Sequence, residues 1–180
     1  MQIVKTSIDD LLIIKPNVFK DSRGYFMESY KSSFFNENIL KYNFVQDNES
    51  ESSYGTIRGL HFQKPPYEQA KLVRVILGEV LDVVVDLRPK SLTFGKHISF
   101  VLSAENKNQL LVPRGFAHGF SVLSRKAIFS YKVDNIYSKD HECGIRYNDQ
   151  SLKINWKISK DKINVSEKDM ILPTFKELYS

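Results

Sequence analysis

Apolar and β-branched residues gather in short runs through the middle of the chain: Lys71 to Ile76, Val80 to Leu87, Ile98 to Leu102, Gln109 to Val112 and Ile128 to Val133. Runs of this length and composition predict β-strands. Turn-forming stretches separate them, at Gly78-Glu79, Arg88 to Ser91, Ala104 to Lys107 and Leu123 to Lys126. Strands at roughly ten-residue spacing predict a sandwich or barrel rather than βαβ units. The stretch Asp21 to Glu28 reads as strand and hairpin, an excursion able to pair with a neighbouring subunit's sheet edge. Helical spacing occurs twice. Ser32 to Tyr42 carries Phe34, Phe35, Ile39 and Leu40 at that spacing, with serine available as cap, and Ser166 to Asp169 opens a short turn. No linker, repeat or low-complexity tract interrupts the pattern, so residues 1–180 read as one domain.

Composition narrows this little. Hydrophobic content of 42% and charged content of 26% belong to a globular protein. No apolar run approaches the roughly 18 residues needed to cross a bilayer, so no membrane partner is expected. Leu11 to Ile14 lies between two aspartates and Lys15-Pro16 and is no signal peptide. The single cysteine, Cys143, cannot close an internal disulfide, which suits the cytoplasm. A net charge of +5 points to an anionic partner. The basic residues within the strand-rich middle, Arg58, Lys71, Arg74 and Arg114, suit a phosphate or diphosphate better than a long polyanion. No stripe of alternating basic and aromatic residues suggests nucleic acid.

The chemistry concentrates in Arg58-Gly59-Leu60-His61-Phe62-Gln63 and in Gln69 to Val75. Charge inside apolar strand is costly unless paired or given a ligand. His61 is the residue suited to move protons near neutral pH. Pro65-Pro66 forces a turn expected to fold the Gln69 to Arg74 strand back beside it. Pro113-Arg114-Gly115-Phe116-Ala117-His118 resembles the second motif of the cupins, jelly-roll β-barrels with a site in the barrel mouth. Metal-binding cupins add a His-x-His pair and a glutamate from an earlier hairpin. Here that hairpin has His61-Phe62-Gln63, with Gln69 where a carboxylate would be wanted, and glutamine ligates first-row metals poorly. A metal cupin is therefore disfavoured, and no cofactor is expected. Tyr131, a core aromatic in its simplest reading, can supply a phenolic proton instead. His97 and His141 read as surface residues.

Further motifs carry a more specific resemblance. Arg58 to His61, Lys71 to Val75, Asp82 to Arg88, Leu102 to Asn106 and the Pro113 to Phe120 segment are similar to the dTDP-4-dehydrorhamnose 3,5-epimerase family. So are Asp21-x-Arg23-Gly24-x-Phe26-x-Glu28 and Ser166-x-Lys168-Asp169-x-x-x-Pro173. The resemblance runs from about residue 9 to 175, with the motifs in family order. It implies a metal-independent, cupin-type jelly-roll homodimer acting on a dTDP-linked 4-keto-6-deoxy sugar. It also implies His61 as base, Asp169 as its dyad carboxylate, Tyr131 as acid and Lys71 beside the C4 oxygen. Arg23, Glu28, Gln46, Asn48, Arg58, His118, Glu142 and Lys168 match the family's substrate contacts, and Phe26 and Gln63 join the expected set. Part of the nucleotide pocket is implied to come from the neighbouring subunit's N-terminal strands. The tail after Trp156 departs from the family, with Lys157 where proline is common. A single-carbon epimerase and a non-enzymatic sugar-binding jelly roll are the competing readings.

Overall fold

The computed structural model describes residues 1–39 and 42–179 of the 180. Strands β1 (Gln2–Lys5) and β2 (Leu12–Lys15) form a hairpin, and β3 (Val18–Asp21) and β4 (Gly24–Met27) form a separate two-stranded ribbon. A short helix follows, α1 (Ser32–Asn38). The centre of the chain is a succession of strands: β5 (Gln46–Ser53), β6 (Thr56–Gln63), β7 (Lys71–Leu77) and β8 (Glu79–Asp86). It continues with β9 (His97–Ser103), β10 (Gln109–Val112), β11 (Phe116–Val122) and β12 (Lys126–Val133). The C-terminal part adds β13 (Glu142–Gly144), β14 (Asn164–Val165), α2 (Glu167–Met170) and α3 (Phe175–Tyr179).

Two sheets face each other. One has the order β1-β2-β10-β7-β12-β5 and the other β13-β6-β11-β8-β9, with β14 pairing in parallel to β6. Alternation along each strand decides what lies between them. Val73, Val75, Leu110, Ala127 and Phe129 project from the first sheet to meet Val80, Val84, Leu102, Phe116 and Phe120 from the second. Burying a side chain of this kind contributes roughly 1.5–3 kcal/mol each, before entropy is counted. The outer faces are covered separately. Helix α1 and its flanking aromatics cover Ile14, Leu72 and Leu111, while the C-terminal segment brings Ile145, Leu152, Trp156 and Phe175 against Ile57, Leu81 and Val83. This is the expected mainly β jelly roll, and each of the five expected middle runs is a strand.

Two local expectations need correction. The double proline does not fold β7 back beside β6. It carries the chain from one sheet to the other, so His61 and Lys71 meet across the barrel interior rather than within a hairpin. Helix α1 stops at Asn38, where Ile39 turns extended, and its N-cap is Lys31, with no capping side chain among the described residues. Leu40 and Lys41, inside the expected helix, lie outside those residues. Strand β11 begins at Phe116, two residues before His118. Ser166 does cap as its position predicts, its hydroxyl accepting from the Asp169 amide. Among the described residues no helix is long and apolar enough to cross a membrane.

Candidate active site

Strand β6 supplies the first two groups of the site through an irregularity. Opposite it on β11, His118 pairs with His61 and Phe120 with Arg58, so three steps along β6 match two along β11. That extra residue is a β-bulge, and it lets Arg58 and His61 both face the interior despite their odd spacing. Gly59 makes the bulge possible. Its φ is +114°, and a Cβ there would lie 2.6 Å from the Gly119 Cα and 2.7 Å from the His118 carbonyl oxygen.

The bulge also orients a carboxylate. Asp169, in α2, is buried, with Oδ1 2.8 Å from His61 Nε2 and Oδ2 accepting from the Gly59 amide at 3.1 Å. Burial opposes ionisation of Asp169, but His61, the Gly59 amide and Ser166 outweigh it and hold the carboxyl below its usual value. The imidazole of His61 keeps 31% of its surface accessible, enough to exchange protons with what enters.

A cavity of about 700 Å³ opens over this dyad, lined by His61, Arg58, Lys71, His118, Tyr131, Asn48, Lys168 and Asp169 among others. A smaller chamber of about 180 Å³ shares Asn48, His61, Lys71 and Tyr131 and adds Gln46, Gln63, Tyr137 and Glu142. The opposing sheets divide the chemistry: His61 comes from β6, Lys71 and Tyr131 from β7 and β12. Burial lowers the Lys71 ammonium to about 8, against the opposing charges of Asp82 and Glu142. Burial likewise raises the Tyr131 phenol, which keeps it protonated. Arg58 donates from Nε to Ser52 at 2.9 Å and from a terminal nitrogen to the Glu51 carbonyl at 3.3 Å, leaving further donors for the cavity. At the rim, Glu142 accepts from Tyr137 at 2.7 Å and from Lys168 at 2.6 Å. Burial opposes its ionisation, but these two donors hold its carboxyl below the usual value.

Eleven of the fourteen expected site residues line the two chambers. Arg23, Phe26 and Glu28 do not. They sit on or beside the β3–β4 ribbon, where Arg23 pairs with Asp21, Glu28 with Lys31, and Phe26 is 65% exposed. Gln63 reaches the small chamber, but its amide is taken by backbone. It donates to the Tyr67 and Ile136 carbonyls and accepts from the Ser138 amide, so it holds loops rather than offering a substrate contact. His141 is half-buried, packed at a tilt against Tyr67 with ring centres 4.5 Å apart and hydrogen-bonded to Ser138; His97 is half-buried too, and its Nδ1 finds no partner among the described residues. Neither is a plain surface residue.

One group was missed. Asp82 is fully buried, with its oxygens 3.0 and 2.9 Å from His118 Nε2. Its signal was present in the sequence, a lone carboxylate inside the apolar run Val80 to Val85. Among the described residues no group of three or more His, Cys, Asp or Glu side chains is placed to hold a metal ion.

The chain is similar in sequence and fold to known proteins. A sequence model of the dTDP-4-dehydrorhamnose 3,5-epimerase family matches residues 5–177. The dTDP-4-dehydrorhamnose 3,5-epimerase of Escherichia coli (strain K12) is 51% identical over 180 residues, covering 99% of this chain and 96% of the relative. A crystal structure of that enzyme from Elizabethkingia anophelis superposes with a TM-score of 0.93 at 54% identity, covering 98% of this chain and 97% of the other. A Legionella pneumophila dTDP-6-deoxy-D-glucose-3,5-epimerase, solved with dTDP-4-keto-L-rhamnose, gives a TM-score of 0.93 at 43% identity over 97% and 93% of the two chains. This chain belongs to the dTDP-4-dehydrorhamnose 3,5-epimerase family.

Proposed function

We propose that the chain epimerises C3 and C5 of dTDP-4-dehydro-6-deoxy-D-glucose, giving dTDP-4-dehydro-L-rhamnose, with His61 as base and Tyr131 as acid. The C4 ketone acidifies the hydrogens on both neighbouring carbons. His61 takes one proton, the C–H electron pair becomes the enolate double bond, and the carbonyl electrons move to the C4 oxygen. The Lys71 ammonium stabilises that oxyanion. Tyr131 then returns a proton to the opposite face, which inverts the carbon. Exchange with water resets the imidazolium and the phenolate.

The observation that carries this reading is the opposition across one cavity. A base backed by a carboxylate comes from one sheet, and a phenol kept protonated by burial comes from the other. An inversion needs its donor and acceptor on opposite faces of the sugar. A sugar-binding jelly roll gives no reason for that opposition.

The diphosphate falls to Arg58 and Lys168 within the chain and to Arg23 of a second copy, with Phe26 and Glu28 completing the nucleotide pocket. Support for a homodimer comes from the β3–β4 ribbon, which pairs with neither main sheet and leaves Phe19, Tyr25 and Phe26 more than half exposed. A cytoplasmic location fits the free thiol of Cys143 and the nucleotide-linked substrate. No metal takes part in this scheme.

Incubation with the keto sugar in D2O tests the reaction. Deuterium is expected at both C3 and C5; incorporation at C3 alone would make the chain a single-carbon epimerase. His61→Asn is expected to lower turnover by about 10²–10⁴-fold with dTDP affinity retained. Normal C5 exchange in that variant would remove His61 as the base.

A further inference from the structure

The scheme above leaves unused the buried carboxylate that contacts His118. Asp82 lies in β8 between Val80 and Val84, both of which pack into the barrel interior, and its side chain is fully buried. Packing alone would favour an apolar residue there, because a carboxylate in an apolar interior is costly even when paired. Its two oxygens lie 3.0 and 2.9 Å from a single atom, His118 Nε2, and His118 lines the same cavity as His61 and Lys71.

His61 and His118 are direct cross-strand partners, each with Nε2 turned to its own carboxylate. The two pairs differ in access. His61 keeps 31% of its side-chain surface open, whereas His118 keeps 6%. A base that must lose its proton to water at every turnover needs the open position. A ring held in the closed position suits a fixed hydrogen bond instead.

We propose that Asp82 is a positioning residue for the epimerisation: it accepts the Nε2 proton of His118, locks that imidazole in one tautomer and leaves Nδ1 as a hydrogen-bond acceptor toward the sugar. The proposal rests on the epimerase reading for what the sugar is, though not for the tautomer. With Nε2 committed to Asp82, a substrate hydroxyl can donate to Nδ1 with no reorganisation of the ring. The same carboxylate helps Lys71 keep its charge against burial, and Lys71 and His118 in turn oppose the rise that burial imposes on Asp82. One hidden anion thereby serves two groups that face the substrate.

The tautomer is read by ¹⁵N–¹H NMR of enzyme labelled at its histidines, with the His118 signals assigned by their loss in His118→Gln. The expected spectrum of the wild-type protein near neutral pH has the His118 proton on Nε2. A proton on Nδ1 instead would overturn the proposal without any need for a variant at Asp82 to fold. Asp82→Leu removes the acceptor at similar volume. It is expected to lose the single tautomer and to lower kcat about 10- to 100-fold, the range seen when the carboxylate behind a ligating histidine is removed, with dTDP affinity unchanged. Asp82→Asn retains an acceptor oxygen and is expected to retain the tautomer and more of the activity. Wild-type kcat in a folded Asp82→Leu protein would refute the positioning role. If wild-type enzyme fails to exchange either sugar hydrogen, the epimerase reading falls, and the tautomer measurement still stands or fails by itself.

Discussion

Burial shifts the ionisation of Lys71 and Tyr131, and Lys71 is the one with a visible consequence. Its ammonium is lowered from 10.5 to about 8, chiefly by burial. The unfolded chain keeps that proton until pH is far higher. Between about 8 and 10.5 the unfolded state therefore binds more protons, and the Lys71 contribution to stability rises with pH. Activity is expected to move the other way, because an uncharged amine cannot stabilise an enolate oxygen. A kcat profile should fall as pH passes about 8, while thermal unfolding shows no matching loss. In Lys71→Arg that limb should vanish, since guanidinium stays charged; a limb that persists near the same pH would assign it elsewhere. His61, Lys71 and Asp169 were legible as members of short motifs, and Tyr131 only beside its simpler reading as a core aromatic. Asp82 also opens a motif, but its role was not legible, because it depends on His118, which lies 36 residues away on another strand. Gln63 was misread for the converse reason: the backbone groups that occupy it come from loops the sequence does not place.

Strand β6 shows how a small break in regularity organises a site. The bulge turns Arg58 and His61 to the same side and frees the Gly59 amide to hold Asp169. Gly59→Ala would force a methyl group into the Gly119 backbone at a φ that side chains rarely adopt. The expected result is a loss of about 1–3 kcal/mol of stability, measured by denaturant unfolding, with a drop in kcat exceeding what the unfolded fraction explains. Gly24→Ala serves as the comparison, since nothing lies within 4 Å of a Cβ there. Wild-type turnover in a folded Gly59→Ala protein would separate the bulge from the chemistry. Strand positions were readable from apolar runs and turn residues. Sheet membership was not, because alternation says which way a side chain points but not which neighbour its strand finds. That is why β6 and β7 were expected side by side, and why the bulge stayed hidden.

At the scale of the molecule, the chain taken singly leaves Arg23, Phe26 and Glu28 outside its own cavity while exposing the aromatic side chains of β3 and β4. The shared site proposed above accounts for both observations and is directly testable. Arg23→Ala and His61→Asn should each be weak alone. Co-expressed, they should recover about a quarter of wild-type activity, because half the dimers are mixed and each mixed dimer holds one intact site. Absence of recovery would confine the site to one chain. A sandwich or barrel was legible from strand number and spacing, and the jelly roll from the motifs, but only the arrangement in space shows the β3–β4 hairpin detached from both sheets. The dyad that completes the site has a temporal side as well. His61 and Asp169 are separated by 108 positions, so at about 5–20 residues per second a ribosome makes the carboxylate roughly 5 to 20 seconds after the imidazole. Through that interval the nascent chain carries His61 without the carboxylate that orients it. Catalytic competence therefore waits for α2, which is made after every strand of the two main sheets that lines the cavity.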